Sequence, residues 1–106
     1  MSYRKLVRDK IPEIIKNTGE NPITKILNDN EYKIELEKKL LEECHEVINA
    51  KTKEDRLEEL ADLLEVMLSL SKTQNNNLED IIDVCKTKRL KRGGFDKKIY
   101  LIDVEK

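Results

Sequence analysis

Tryptophan is absent, phenylalanine occurs once and tyrosine three times, so aromatic side chains make up only 4% of the 106 residues. Aromatics carry the largest buried area per residue, and a chain of this size buries only about two-thirds of its unfolded surface. A core that closes within one chain is therefore not expected; the helices should finish burying themselves against a second subunit. The two cysteines, Cys44 and Cys85, have no C-x-x-C partner and form no disulfide framework. Free thiols point to a reducing, cytoplasmic setting. No apolar run approaches the ~20 residues that span a bilayer, and the N-terminus lacks the apolar stretch of a signal peptide. A Walker A loop is missing, which excludes a P-loop nucleotide site. The formal net charge is only −1, so there is no overall basic signature for nucleic acid.

Charge itself is abundant, at 41% of residues, and it is unevenly placed. Residues 1–27 hold six Lys/Arg against three Asp/Glu, residues 31–65 hold six against twelve, and residues 86–98 hold seven against one. An acidic centre between basic ends suits a metal cluster flanked by phosphate-binding groups, although from charge alone ordinary solvated helix faces are the better account of such runs. One domain, residues 1–106, is the expectation for this length.

Read in order, the chain opens with a short extended or irregular start, Ser2 to Arg8. Asp9 then reads as the N-cap of a helix that tolerates Pro12 in its first turn and ends at Thr18-Gly19. Asn28 with Glu31 resembles a capping box and begins a helix to about Asn49, with an apolar stripe of Tyr32, Leu36, Leu40 and Val47. Thr52 with Asp55 begins the next, to about Lys72. Its Leu57, Leu60, Ala61, Leu64 and Leu68 form one face, and Leu63, Val66 and Leu70 lie largely opposite. A helix apolar on two sides is usually central or at a subunit interface. Asn77 with Asp80 begins a fourth helix, which carries Leu78, Ile81, Ile82 and Cys85 and stops at Gly93-Gly94. Ile99 to Val104 reads as a short strand or extended tail. The fold class is an all-α helical hairpin bundle of four-helix type, completed by oligomerisation, with short extended segments possible at the termini.

The chemistry concentrates between Leu40 and Leu70. At ~100° per residue, Glu42, Glu43 and Glu46 share an arc of about 100°, and Glu59 and Asp62 are about 60° apart. If the two helices pack antiparallel, both sets sit about 8–10 Å above the turn at Lys51-Thr52. Glu43 falls inside the apolar stripe, where a merely solvated glutamate would not be placed. Four or five facing carboxylates repel one another unless protonated or filled by cations, and hard oxygen donors suit Mg²⁺ or Mn²⁺. Such cations take phosphate oxygens, and a spare carboxylate such as Glu42 or Glu58 can orient a water or accept its proton.

The pattern Glu42-Glu43-x-x-Glu46 … Glu59-x-x-Asp62 resembles the signature of the MazG-like all-α nucleoside triphosphate pyrophosphohydrolases. The ends, YRKLVRDKIPEII (Tyr3–Ile15) and KRGGFDKKIYL (Lys91–Leu101), resemble a small phosphoribosyl-ATP-pyrophosphohydrolase-like branch of that superfamily. The resemblance implies that Glu43, Glu46, Glu59 and Asp62 are Mg²⁺ ligands and that Glu42 is a further ligand or water-orienting group. It also implies hydrolysis of a nucleoside triphosphate, or a related nucleotide, to the monophosphate and pyrophosphate. Family members are usually dimers or tetramers, and many clear surplus or noncanonical nucleotides.

The basic ends supply candidate phosphate contacts: Arg8 and Lys10, beside Arg4 and Lys5, and Lys88 and Arg92 next to the glycine turn. A cation-rich helix end with a glycine stop is also ordinary helix chemistry. His45 lies about 100° from Glu46 and reads as exposed or packing; Cys44 and Cys85 read as packing residues, and Tyr32 and Phe95 as core or interface. The reading is a Mg²⁺-dependent nucleotide pyrophosphohydrolase, homodimeric or homotetrameric, with catalytic Glu42 and Glu43 and no membrane or nucleic-acid partner. Two alternatives stand beside it: hydrolysis of phosphoribosyl-ATP itself, and a non-enzymatic helical module that oligomerises or binds a partner through its acidic patch.

Overall fold

Each long helix begins where a short polar side chain satisfies its first free N–H groups. In the computed structural model, which describes residues 4–106, α1 spans Ile11–Asn17, α2 Asp29–Asn49, α3 Lys53–Thr73 and α4 Leu78–Arg92. The Glu31 N–H donates to Asn28 Oδ1 at 2.8 Å while the Asn28 N–H donates to Glu31 Oε1 at 3.2 Å. Asn77 and Asp80 exchange the same pair of bonds, at 3.0 and 2.8 Å. Thr52 accepts from the Asp55 N–H at 3.0 Å, without the reciprocal bond of a full box. α4 stops at Gly93, whose φ of +81° places it where side chains are strained and whose N–H donates to the Arg89 carbonyl.

α1 starts differently from the sequence expectation. Lys10, not Asp9, is the residue before the helix, and no side chain caps it. The chain enters through a tight turn in which the Ile11 N–H donates to the Arg8 carbonyl. Asp9 lies within that turn, and its carboxylate makes no capping bond.

α2 and α3 form an antiparallel hairpin across the short link at residues 50–52, and α4 packs lightly on α3. Among the described residues no other helices pack together, so the four helices do not close a bundle within one chain. Among the described residues only Leu36 of α2 and Val66 of α3 are buried. The Val66 side of α3, with half-buried Leu63 and Leu70, faces α2. The other stripe is left out: Leu57 is 69% exposed, and Leu60, Leu64 and Met67 are exposed as well. On α2, Ile34, Leu41 and Ile48 recur every seventh residue and are likewise exposed. The Cα radius of gyration is 18.4 Å, against about 13 Å for a compact chain of ~100 residues.

No strand occurs among the described residues. The possible strand at Ile99–Val104 is an irregular, exposed tail, because no other segment lies alongside to complete a ladder. Of the possible N-terminal strand, residues 1–3 lie outside the described part and residues 4–8 are irregular. Phe95 is 97% exposed, which removes it from any core within the chain.

The capping reading has a direct check. Asn28→Ala should lower stability by about 1 kcal/mol and Asn28→Gly by only a few tenths. By thermal unfolding the alanine variant should melt about 4–8 °C lower and the glycine variant close to wild type.

Candidate metal centre

The apolar stripe of α2 is interrupted by one acid. Glu43 follows Leu36 and Leu40 on the seam with α3, and its side chain is only 12% exposed. Across the seam α3 presents Asp62 and Glu59, both half-buried, about one and two turns below Val66. One carboxylate oxygen from each of Glu43, Glu59 and Asp62 lies within 4.8 Å of the other two. The antiparallel hairpin thus brings two helices' acids to one level, as the spacing predicts.

The electrostatic cost is visible in the acids themselves. Glu43 has a pKa raised by its burial, then by Asp62, Glu59 and Glu42, with Lys39 pulling the other way. Glu59 is also raised, by loss of solvent and then by Asp62, Glu46, Glu58 and Asp55. Three hard oxygen donors converging from two helices, each disfavouring the others' charge, fit a divalent cation such as Mg²⁺ or Mn²⁺. Imidazole and thiolate take no part: His45 is exposed and Cys44 is outside the trio.

The remaining sequence candidates are placed less uniformly. Glu46 is exposed and outside the tight trio, yet near enough for its charge to raise Glu59. Glu42 is exposed and stands 3.8 Å from Lys39. Arg8 does not stand free for a phosphate; its guanidinium donates to Asp62 Oδ1 at 2.8 Å. Lys10 is exposed at the entry to α1. Lys88 and Arg92 lie on α4, where with Asp83, Val84, Thr87 and Lys91 they line a shallow groove of about 360 Å³. Among the described residues no ion pair joins that groove to the carboxylates. Two ion-pair contacts of the trio escape the motif reading. Lys39, 4.0 Å from Glu43, was recoverable from its i,i+3 and i,i+4 spacing to Glu42 and Glu43. The Arg8–Asp62 pair spans 54 residues and has no local signal.

The sign of the pH effect follows from these shifts. Glu43 and Glu59 bind protons more tightly folded than unfolded, so their contribution to stability is full below the ordinary carboxylate range. It is lost as pH rises through the raised values. In metal-free protein, Glu43→Gln should melt at the wild-type temperature below the ordinary carboxylate range and above the wild-type temperature at pH 7. Equal melting at both pH values would contradict the repulsion.

Against known proteins, the phosphoribosyl-ATP pyrophosphohydrolase family profile matches residues 5–89. A protein of Mycolicibacterium smegmatis described as uncharacterized is 45% identical over 53 residues, which is 50% of this chain and 54% of the relative. The chain thus spans about half the length of the curated relative it matches. No solved structure matches. The family match covers four-fifths of the sequence and contains all three converging carboxylates. On that basis the chain belongs to the phosphoribosyl-ATP pyrophosphohydrolase family, within the MazG-like all-α nucleoside triphosphate pyrophosphohydrolase superfamily.

Proposed function

We propose that this protein is a Mg²⁺-dependent pyrophosphohydrolase that splits a nucleoside triphosphate, or a related nucleotide, into the monophosphate and pyrophosphate. The convergence of Glu43, Glu59 and Asp62 on one point of the α2–α3 seam carries the reading. These three, with Glu46 beside Glu59, would hold the cation. When bound, a divalent cation supplies Lewis acidity to the phosphoryl oxygens and makes water a better nucleophile near neutral pH. Glu42, exposed next to Glu43 and 3.8 Å from Lys39, would orient that water and take its proton. Arg8 offers a planar fork for phosphate oxygens, with Lys10 close by in sequence. Lys88 and Arg92, with Lys91 between them in their groove, offer cations to the leaving pyrophosphate. In the reaction a water oxygen forms a bond to phosphorus, the bridging P–O bond breaks, and the water's proton passes to a carboxylate.

The cellular role that suits this chemistry is clearance of surplus or noncanonical nucleotides in the cytoplasm. A second reading, favoured by the family match, is hydrolysis of phosphoribosyl-ATP. The reaction is the same and the base and sugar contacts differ. The working unit in both cases is a homodimer or homotetramer, supported by the two exposed apolar stripes and by the extended shape. No described helix is long and apolar enough to cross a membrane.

Incubation with canonical and modified nucleoside triphosphates and with phosphoribosyl-ATP, with and without Mg²⁺, tests the reaction and ranks substrates. Pyrophosphate release should require Mg²⁺ and fall about 100-fold or more in Glu59→Gln. No release from any substrate, with no Mg²⁺ stabilisation of the fold, would move the protein to a non-enzymatic interaction module. Light scattering should give at least twice the chain mass of 12.5 kDa, and Leu60→Glu with Leu64→Glu should lower the assembled fraction.

A further inference from the structure

The N-terminal segment meets the rest of the protein in an unusual way. α1 packs on no other helix. Among the described residues, Arg8–Asp62 is the side-chain hydrogen bond that ties residues 4–17 to the α2–α3 hairpin. Every other side-chain hydrogen bond joins residues no more than four apart. The attachment is exposed, with Arg8 at 59% and Asp62 at 44%, and pairs of that kind are weak and reversible. Yet its acceptor is one of the three carboxylates that converge on the seam. Arg8 and a divalent cation would therefore compete for the negative charge of the same group.

We infer that Arg8 is a placeholder cation: it neutralises Asp62 while no metal is bound, yields Asp62 when a divalent cation arrives, and so releases the N-terminal segment. The inference rests on the metal reading of the trio given above. Guanidinium and metal cannot share Asp62 without cost, because a hard cation draws the carboxylate charge toward itself and repels a second positive group at hydrogen-bond range. The weakness of the pair makes the exchange easy, and no packing of α1 on another helix has to be broken. A released Arg8 is then a fork of donors beside the cation, free for the phosphate oxygens that a nucleotide brings. Metal occupancy would thereby arm the phosphate contact, and an empty site would keep its arginine engaged.

The test is the side-chain NMR signal of Arg8, assigned by its loss in Arg8→Gln, with Asp62→Ala giving the position of an unlatched arginine. Thermal unfolding runs alongside to report metal binding. On titration of the full chain with Mg²⁺ alone, the Arg8 signal should move from its starting position to that of Asp62→Ala as the melting temperature rises. Arg8→Gln should bind Mg²⁺ more tightly, by up to about fivefold. A rise in melting temperature with the Arg8 signal unmoved would overturn the placeholder role and leave the metal centre standing. Weaker Mg²⁺ binding in Arg8→Gln would also overturn it, since Arg8 would then be supporting the ligand rather than competing for it. Absence of Mg²⁺ binding in wild type, by both signals, would overturn the metal reading and this inference with it.

Discussion

The structure depends on a repulsion placed where a helix seam should be most comfortable. Glu43 occupies a position that the periodicity of α2 reserves for an apolar side chain, and α3 answers it with Glu59 and Asp62. Like charges at that range in a half-buried setting cost free energy whenever all are ionised. The hairpin still forms, because Leu36, Val66 and their neighbours hold the two helices together on one side of the cluster. Lys39 and Arg8 supply partial compensation at the rim. The native arrangement is thus closed by hydrophobic contact and left electrostatically unsatisfied at one point.

Much of this was legible in the sequence, and for identifiable reasons. Helix starts at Asn28, Thr52 and Asn77 could be read because a cap is a contact over three residues. The convergence of Glu43, Glu59 and Asp62 could be read because a short link fixes an antiparallel hairpin, and 1.5 Å per residue then fixes the level. What failed had no such local rule. Asp9 looks like a cap until the turn at Arg8–Ile11 is known. The partner of Arg8 depends on how an irregular segment crosses the hairpin, which periodicity does not encode. Which side of α3 meets α2 was open as well, since both of its apolar stripes look capable of it.

The structure separates the two stripes. The stripe with Val66 is used inside the chain, while the one with Leu57, Leu60 and Leu64 is spare. A scattered exposed leucine needs no account. A repeated row of them on a central helix, in a chain far more extended than a compact fold of its length, is a contiguous apolar surface that the chain itself leaves uncovered. The basic C-terminal third behaves similarly: Phe95, Ile99, Tyr100, Leu101 and Ile102 all stand exposed after Gly93.

The three carboxylates of the trio lie between positions 43 and 62, on either side of a link of only three residues. Closing so short a loop costs little chain entropy, and contacts so near in sequence form early and fast. The α2–α3 hairpin can therefore nucleate as a unit on the growing chain, before α4 and the tail exist. Its three carboxylates would come into register at that moment, so the acidic cluster would be one of the first features to form.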